Sequence, residues 1–285
     1  MKAVILGAGG QLGQALRMAA PVGVTVVAFD RSALDVTSQK QVLTALAAER
    51  PDVVFNAAAY TSVDRAEHEE AQAFAINADA VSTLADATRS QGARFVHVST
   101  DFVFNGHSGV PYAPEAAPDP INAYGRTKLS GERAAGPDAL IVRTAWVYAS
   151  TSRNFVTTML DLMRERSEVR VVADQIGTPT YAPGLAAALW RLAVQQVSGI
   201  HHYTDSGVAS WYDFAVAIQE EAIFAGLLDR AVPIVPIATF DHPAVASRPH
   251  YSVLDKQSTF EVLGGPAPHW RTQLRAMIEA VRVHG

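Results

Sequence analysis

Ala3-Val4-Ile5-Leu6-Gly7-Ala8-Gly9-Gly10-Gln11-Leu12-Gly13 is a short apolar run that ends on glycines and passes straight into residues suited to a helix. An apolar run without polar alternation is the pattern of a strand buried on both faces, as in a parallel sheet. Gly7, Gly10 and Gly13 let the turn be tight, the backbone approach a pyrophosphate and the helix pack on the strand. The helix start around Gln11 and Leu12 then offers N–H groups and a positive dipole end to the phosphates. The spacing is G-x-x-G-x-x-G and not G-x-G-x-x-G, because Leu12 stands where the latter needs glycine. At the end of the next strand Asp30 is placed to bind an adenosine ribose, which favours NADH. Arg31 follows directly and suits a 2′-phosphate, which favours NADPH, or is simply a solvated charge. Asp35 and Val36 are candidates to flank the adenine, and an Asx-turn explains Asp35 equally well.

Outward from this turn the chain alternates. Residues 11–20 suit a helix that Pro21 and Gly23 stop, 24–29 a strand, 38–49 a helix and 52–56 a third strand. Residues 67–91 read as one helix with Gly92 as its cap, 94–99 as the fourth strand and 102–122 as a long Gly/Pro/Asn-rich loop. A helix containing Tyr124 and a strand at 139–144 follow. Strand and helix alternating in this way predict an α/β fold with a Rossmann-type doubly wound parallel sheet. The second half is less regular: helices at 154–166, 183–197, 210–225 and 268–283, strands at 168–173 and 200–203, and a Pro-rich segment at 232–249. The expected organisation is a dinucleotide-binding domain over residues 1–150. A smaller C-terminal α/β substrate-binding lobe is expected mainly from 151–285, with some segments returning to the first domain.

Composition narrows the function. The 285 residues are 49% hydrophobic and 18% charged, enough to bury a core without staples. The absence of cysteine excludes disulfides, thiolate metal sites and cysteine nucleophiles. A net charge of −5 without a basic run argues against nucleic acid and anionic membranes. No apolar stretch approaches the roughly 20 residues of a membrane span, and Met1-Lys2 does not open a signal peptide. A cytoplasmic location is expected.

Asn56-Ala57-Ala58-Ala59-Tyr60 closes the third strand, where Ala57, Ala58, Ala59 and Tyr60 let a cofactor lie against the backbone; tight helix packing explains the alanines nearly as well. Asn77 bridges strands or bonds near the nicotinamide. Thr100, at the end of the fourth strand, offers a hydroxyl to a substrate carbonyl. Tyr124-Gly125-Arg126-Thr127-Lys128 places a phenol and an ammonium on one helix face a turn apart, where the ammonium favours the phenolate. Adjacent His201 and His202 in a strand point to opposite faces, which argues against a joint metal site, and His97 reads as a satisfied core histidine.

These blocks, with Asn56–Glu67, Ser99–Phe104, Tyr124–Leu129, Arg143–Tyr148 and Asp174–Thr180, resemble the extended short-chain dehydrogenase/reductase family, and within it the dTDP-4-dehydrorhamnose reductase family. A weaker echo runs through Trp211-Tyr212-Asp213 and Ser247-Arg248-Pro249. The resemblance implies NADPH- or NADH-dependent reduction of the C4 ketone of dTDP-4-dehydro-L-rhamnose to dTDP-L-rhamnose. Tyr124 would protonate the alkoxide, Lys128 would lower the tyrosine pKa and hold the nicotinamide ribose, and Thr100 would polarise the carbonyl. It also implies that Asp101 touches the sugar and that Trp146 flanks it, although Trp146 also reads as plain core. Phe104 and Asn105 are candidates for a wall and a polar contact. Arg248 suits the diphosphate, or else a surface or interlobe salt bridge. The family's glutamate-held magnesium between subunits is not expected, because Ala15 stands at one of its positions; a homodimer without it stays open. Tyr251 replaces the family's asparagine, so another nucleotide-linked 4-keto-6-deoxyhexose is an alternative substrate. A non-catalytic regulatory subunit with the same fold is the alternative from another class.

Overall fold

The computed structural model describes residues 1–284. Its first half winds β1 (Lys2–Leu6), α1 (Gln11–Met18), β2 (Thr25–Phe29), α2 (Gln39–Glu49) and β3 (Val53–Asn56). There follow α3 (Val63–Ala66), α4 (Glu70–Phe74), α5 (Ala80–Ser90), β4 (Arg94–Thr100), α6 (Ala123–Ala135) and β5 (Leu140–Thr144). The second half runs β6 (Val147–Tyr148), α7 (Phe155–Glu165), β7 (Val169–Val172), β8 (Ile176–Gly177), β9 (Thr180–Tyr181), α8 (Ala182–Val194) and β10 (Gly199–His202). It ends with β11 (Ala209–Ser210), α9 (Trp211–Phe224), β12 (Ile234–Ile237), α10 (Gln257–Val262) and α11 (Trp270–His284).

Six strands form one parallel sheet in the order β10-β5-β4-β3-β1-β2. The side-chain period of two divides each strand between two cores. Ala3 and Ile5 of β1 join Leu16 of α1 and Leu185, Leu189 and Trp190 of α8 on one face. Val4 and Leu6 join Val42 and Leu46 of α2 and Leu84 of α5 on the other. This two-sided burial is why β3 and β5 have no exposed position. The chain goes out from β1 to β2 and returns to β3, so the order reverses between β1 and β3. Open α/β sheets bind ligands at the carboxyl ends beside such a reversal. Leu6 is level with Phe29 and Asn56, which brings the glycine turn, Asp30 and the alanines to that edge.

A second core holds Met159 and Leu160 of α7, Val169 and Val171 of β7, Phe214 and Ile218 of α9, and Leu274 and Met277 of α11. There β7 pairs in parallel with β12. That strand lies inside the Pro-rich segment 232–249, where no strand was expected; Pro236 fits because β12 is an edge strand of a two-stranded sheet. Two elements from the second half serve the large sheet: β10 is its edge strand and α8 packs against one face.

The expected single helix over 67–91 is instead α4, one π-helical turn over Ala75–Asp79 and α5. The extra residue of a π turn re-aims the side chains around it, and such turns are frequent at functional sites. Here it directs Asn77 inward. Asn77 Oδ1 accepts from Tyr60 N at 2.9 Å, while Nδ2 donates to Tyr60 O at 3.1 Å and to Thr127 Oγ1 of α6 at 3.1 Å. Asn77 was expected to bridge strands or to bond near the nicotinamide; it instead ties the loop after β3 to α6.

Candidate active site

The catalytic helix α6 is fixed at its start by Asn122, which accepts a hydrogen bond from Gly125 N at 2.7 Å and caps the helix. Glycine is required at 125 and 131 by close approach. A Cβ at Gly125 would run into Phe102 O, and one at Gly131 into Asn77 O. The helix therefore lies against both the turn after β4 and the π turn. Its inner face carries Tyr124, Lys128 and Glu132 at intervals of four residues.

Tyr124, Lys128, Thr100 and Asp101 converge on one cavity of about 480 Å³, whose other walls include Gly10, Gln11 and Leu12. Ala57, Ala58 and Ala59 form its floor, and Trp146 closes one side. Gly10 is the N-cap of α1 and supplies no side-chain cap, so the first-turn N–H groups remain open to a ligand. Gly7 has φ +77°, and a Cβ there would come within 2.6 Å of Ala58 N. A Cβ at Gly13 would strike Gly7 O. Strand, turn and helix are thus as close as the backbone allows, the cradle that a dinucleotide diphosphate needs. Gln11 is held by Asn154, whose Nδ2 donates to its Oε1 at 3.1 Å.

Asp30 borders a groove beside Gly9. Its Oδ1 accepts from Ser32 N, Ser32 Oγ and Ala33 N, and these bonds hold the carboxyl below its ordinary pKa. Arg31 is exposed. Asp35 Oδ1 accepts from Thr37 N at 3.0 Å and Thr37 Oγ1 at 2.8 Å, the Asx-turn reading, and Val36 packs on the core under β1 and β3. Tyr60 turns away from the cavity, its hydroxyl donating to Glu69 Oε2 at 2.5 Å. Thr61 and Ser152, which sequence reasoning did not single out as site residues, do line the cavity.

The electrostatics depart from expectation in one respect. Burial pushes the Tyr124 phenol up to about 12, opposed by hydrogen bonding with Thr100 and reinforced by the charge of Asp101. The ammonium a turn away does not offset this, because Lys128 points at the strand: Nζ donates to Val98 O at 2.7 Å. The phenol is therefore held protonated, as a proton donor requires. Lys128 is itself lowered to about 8 by burial, against the pull of Glu132. Thr100 donates to Asp101 Oδ1 at 3.0 Å and accepts from Phe102 N at 3.1 Å. Burial raises Asp101 to about 6, and its Oδ2 has no hydrogen-bond partner among the described residues.

A second cavity of about 450 Å³ lies across Trp146, between the sheet and the lobe. Arg166, Arg170, Trp211, Gln175, Ser252 and Arg248 face it. Trp146 has φ +48° and stacks on Trp211 with ring centroids 3.5 Å apart, while Gly177 lies flat against its indole. A positive φ in a bulky residue is backbone strain held by its surroundings, a feature that gathers at ligand sites. Arg248 also donates to Asp64, at 3.1 Å from Nη1 and 2.8 Å from Nη2, an ion pair between lobe and sheet. Phe104 does not line either cavity. It is fully buried, stacked on Tyr112 with centroids 4.2 Å apart and under the Arg143 guanidinium. Asn105 bonds Asp119 and Tyr112. Both residues shape the loop.

Residues 1–283 match the family described as RmlD substrate binding domain. A dTDP-4-dehydrorhamnose reductase of Burkholderia thailandensis is 41% identical, the match covering 95% of this chain and 96% of the relative. The solved structure of a dTDP-4-dehydrorhamnose reductase from Clostridium acetobutylicum superposes with a TM-score of 0.93 at 37% identity, over 99% of this chain and 100% of that one. The enzyme of that name from Bacillus anthracis, solved in complex with NADP, gives a TM-score of 0.92 at 35% identity over 98% of this chain and 99% of its own. With its length matched from end to end by that model and by such relatives, the chain belongs to the RmlD substrate binding domain family, the family of the dTDP-4-dehydrorhamnose reductases.

Proposed function

We propose that the protein reduces the C4 ketone of dTDP-4-dehydro-L-rhamnose to dTDP-L-rhamnose, with NADPH or NADH as the hydride source. The observation that carries this reading is the convergence of a protonated phenol, an ammonium and a hydroxyl on one cavity beside an uncapped helix start. The nicotinamide supplies the hydride when bound. The open N–H groups of α1 receive the diphosphate, the alanines after β3 let the cofactor approach the backbone, and Asp30 receives the adenosine ribose.

Tyr124 donates its proton to the oxygen of the reacting carbonyl as negative charge develops there, and its burial keeps that proton in place until it is needed. Lys128, whose side chain lines the same cavity, holds the nicotinamide ribose when the cofactor is bound. Thr100 orients the sugar oxygen beside Tyr124, with its hydroxyl positioned by Asp101. The second cavity, with Arg166, Arg170 and Arg248 at its rim and Trp146 and Trp211 as flat walls, takes the nucleotide diphosphate and base, so the lobe built mainly from residues after 151 grips the sugar nucleotide.

The test is to incubate the purified protein with NADPH or NADH and a panel of dTDP-linked 4-keto-6-deoxyhexoses and to follow cofactor oxidation and the product epimer. The expected result is turnover of the rhamnose precursor to dTDP-L-rhamnose. Turnover confined to another epimer would reassign the substrate, and no turnover with any sugar would favour a non-catalytic subunit.

A further inference from the structure

His97 stands in the middle of β4 with no exposed surface, between Asn56 at the end of β3 and Lys128 on α6. The ring does not reach the cavity; it lies behind the lysine. Its proton position follows from its neighbours. Asn56 Oδ1 accepts from Ala58 N at 3.2 Å, which fixes the orientation of that amide. The Asn56 NH₂ group must then face the imidazole, and Nδ2 lies 3.2 Å from His97 Nδ1. A donor at Nδ1 requires a lone pair there, so a neutral ring carries its proton on Nε2. Burial and the neighbouring Lys128 charge hold the ring neutral, well below its ordinary pKa. Nε2 lies 3.4 Å from Lys128 Nζ.

We propose that His97 is a positioning residue for Lys128: its Nε2–H faces the amine, turns the ammonium protons toward Val98 O and the cavity, and favours loss of the lysine proton. The ammonium has no lone pair with which to accept from Nε2–H and cannot donate to a nitrogen that already bears a proton. Its protons are left to Val98 O and the cavity side, where the reaction needs them. The neutral amine does have a lone pair and accepts the imidazole N–H, so the ring stabilises the amine relative to the ammonium. The other titratable and charged groups around Nζ are Tyr124 and Glu132 on its own helix, Asp101 after β4, and Arg143 of β5 through its ion pair with Glu132. Glu132 acts in the opposite sense to His97, but its charge is engaged by Arg143, with Nη2 2.7 Å from Oε2 and Nε 2.9 Å from Oε1, and by Ser99. Lys128 is thereby poised between two buried neighbours.

The inference rests on Lys128 being the reaction's lysine, so the decisive readouts do not require turnover. Nitrogen-15 NMR of labelled histidine reads the tautomer, and the carbon-13 shift of Lys128 Cε followed against pH reads its titration midpoint. Expected are an Nε2–H ring in the wild type and, in His97→Leu, a midpoint raised by about 1 pH unit. The alkaline limb of kcat should move with the midpoint while KM stays unchanged. A second variant, Asn56→Asp, keeps the ring but offers a carboxylate to Nδ1. It should move the proton to Nδ1, turn a lone pair toward the ammonium and raise the midpoint further. An Nδ1–H ring in the wild type overturns the proposal, as does a folded His97→Leu protein whose Lys128 midpoint stays put. If His97→Leu does not fold, a flipped tautomer in Asn56→Asp without a change in the midpoint overturns it equally. Intact NMR behaviour in a protein that turns over no sugar would count against the proposed reaction alone.

Discussion

Tyr124 is the residue on which the chemistry turns, and its environment says which half of a proton transfer it performs. A phenol pushed up to about 12 by burial is a poor base and a well-filled donor. Replacing Tyr124 with Phe removes one hydroxyl from the cavity wall and nothing from the core, so folding should be unaffected. The expected result is a kcat lower by about 100-fold or more with an unchanged melting temperature, measured by steady-state kinetics and calorimetry. Asp205 presents the opposite situation, a buried carboxylate that lines neither cavity. Its Oδ2 accepts from Tyr181 N at 2.9 Å, its Oδ1 has no partner among the described residues, and burial raises it from 3.8 to about 7. The folded state therefore binds this proton more tightly than the unfolded chain. Its favourable contribution is fully present below pH 4 and is lost as the pH rises through about 7. Asp205→Asn should thus be more stable than the wild type at pH 8 by up to about 4 kcal/mol, from ~1.4 kcal/mol for each of the roughly 3 pH units between 3.8 and about 7. The gain should vanish at pH 4. Urea denaturation at both pH values reads it, and equal gains at both would assign the effect to packing.

Among the elements, those set by local signals were legible in the chain and those set by packing were not. The β1 turn and α1 followed from three glycines at intervals of three, and Tyr124 and Lys128 from a spacing that a helix brings onto one face a single turn apart. The helix expected over 67–91 hid the π turn at Ala75–Asp79, because one inserted residue leaves composition unchanged. A polar Asn77 facing inward from an otherwise apolar helix face was the available signal. The consequence is specific to α6. Gly131 lies against the backbone oxygen of Asn77, where no side chain is available to move aside. Gly131→Ala should force the helix outward, costing about 2–3 kcal/mol in overpacking and displacing Tyr124 and Lys128 together. Gly109 meets nothing within 4 Å, and Gly109→Ala should change stability by less than about 0.5 kcal/mol. Thermal unfolding and kcat of the two variants side by side separate a positional effect of α6 from a generic cost of adding a methyl group.

At the scale of the whole molecule, sheet and lobe are joined by the chain that runs over the start of α6. Asn122 Nδ2 donates to Ser247 O at 2.8 Å, Asp64 accepts from Ala246 N and from Arg248, and Tyr112 exchanges backbone bonds with Val253 and Asp255. The second cavity draws its residues from α7, β7, α9 and the strap itself, so the sequence pointed to Trp146, Trp211 and Arg248 separately but not to Arg166 and Arg170 or to the cavity that gathers them. Arg248 connects the two roles considered for it, since it is paired with Asp64 and also lines that cavity. The pair is partly exposed, with side chains 23% and 43% accessible, so screening limits its structural worth to about 1 kcal/mol or less. A guanidinium at the rim of a cavity that takes a diphosphate has more to give in binding than in bracing, because two phosphate oxygens match its fork better than one shared carboxylate does. Arg248→Ala should therefore raise KM for the nucleotide sugar by about 10-fold or more while leaving kcat within a few-fold, the signature of lost uniform binding. The melting temperature should fall by only a few degrees. Steady-state kinetics at saturating reduced cofactor, beside a calorimetric scan, distinguish the roles. An unchanged KM with a large loss of melting temperature would make Arg248 a brace between the two cores and leave the diphosphate to Arg166 and Arg170.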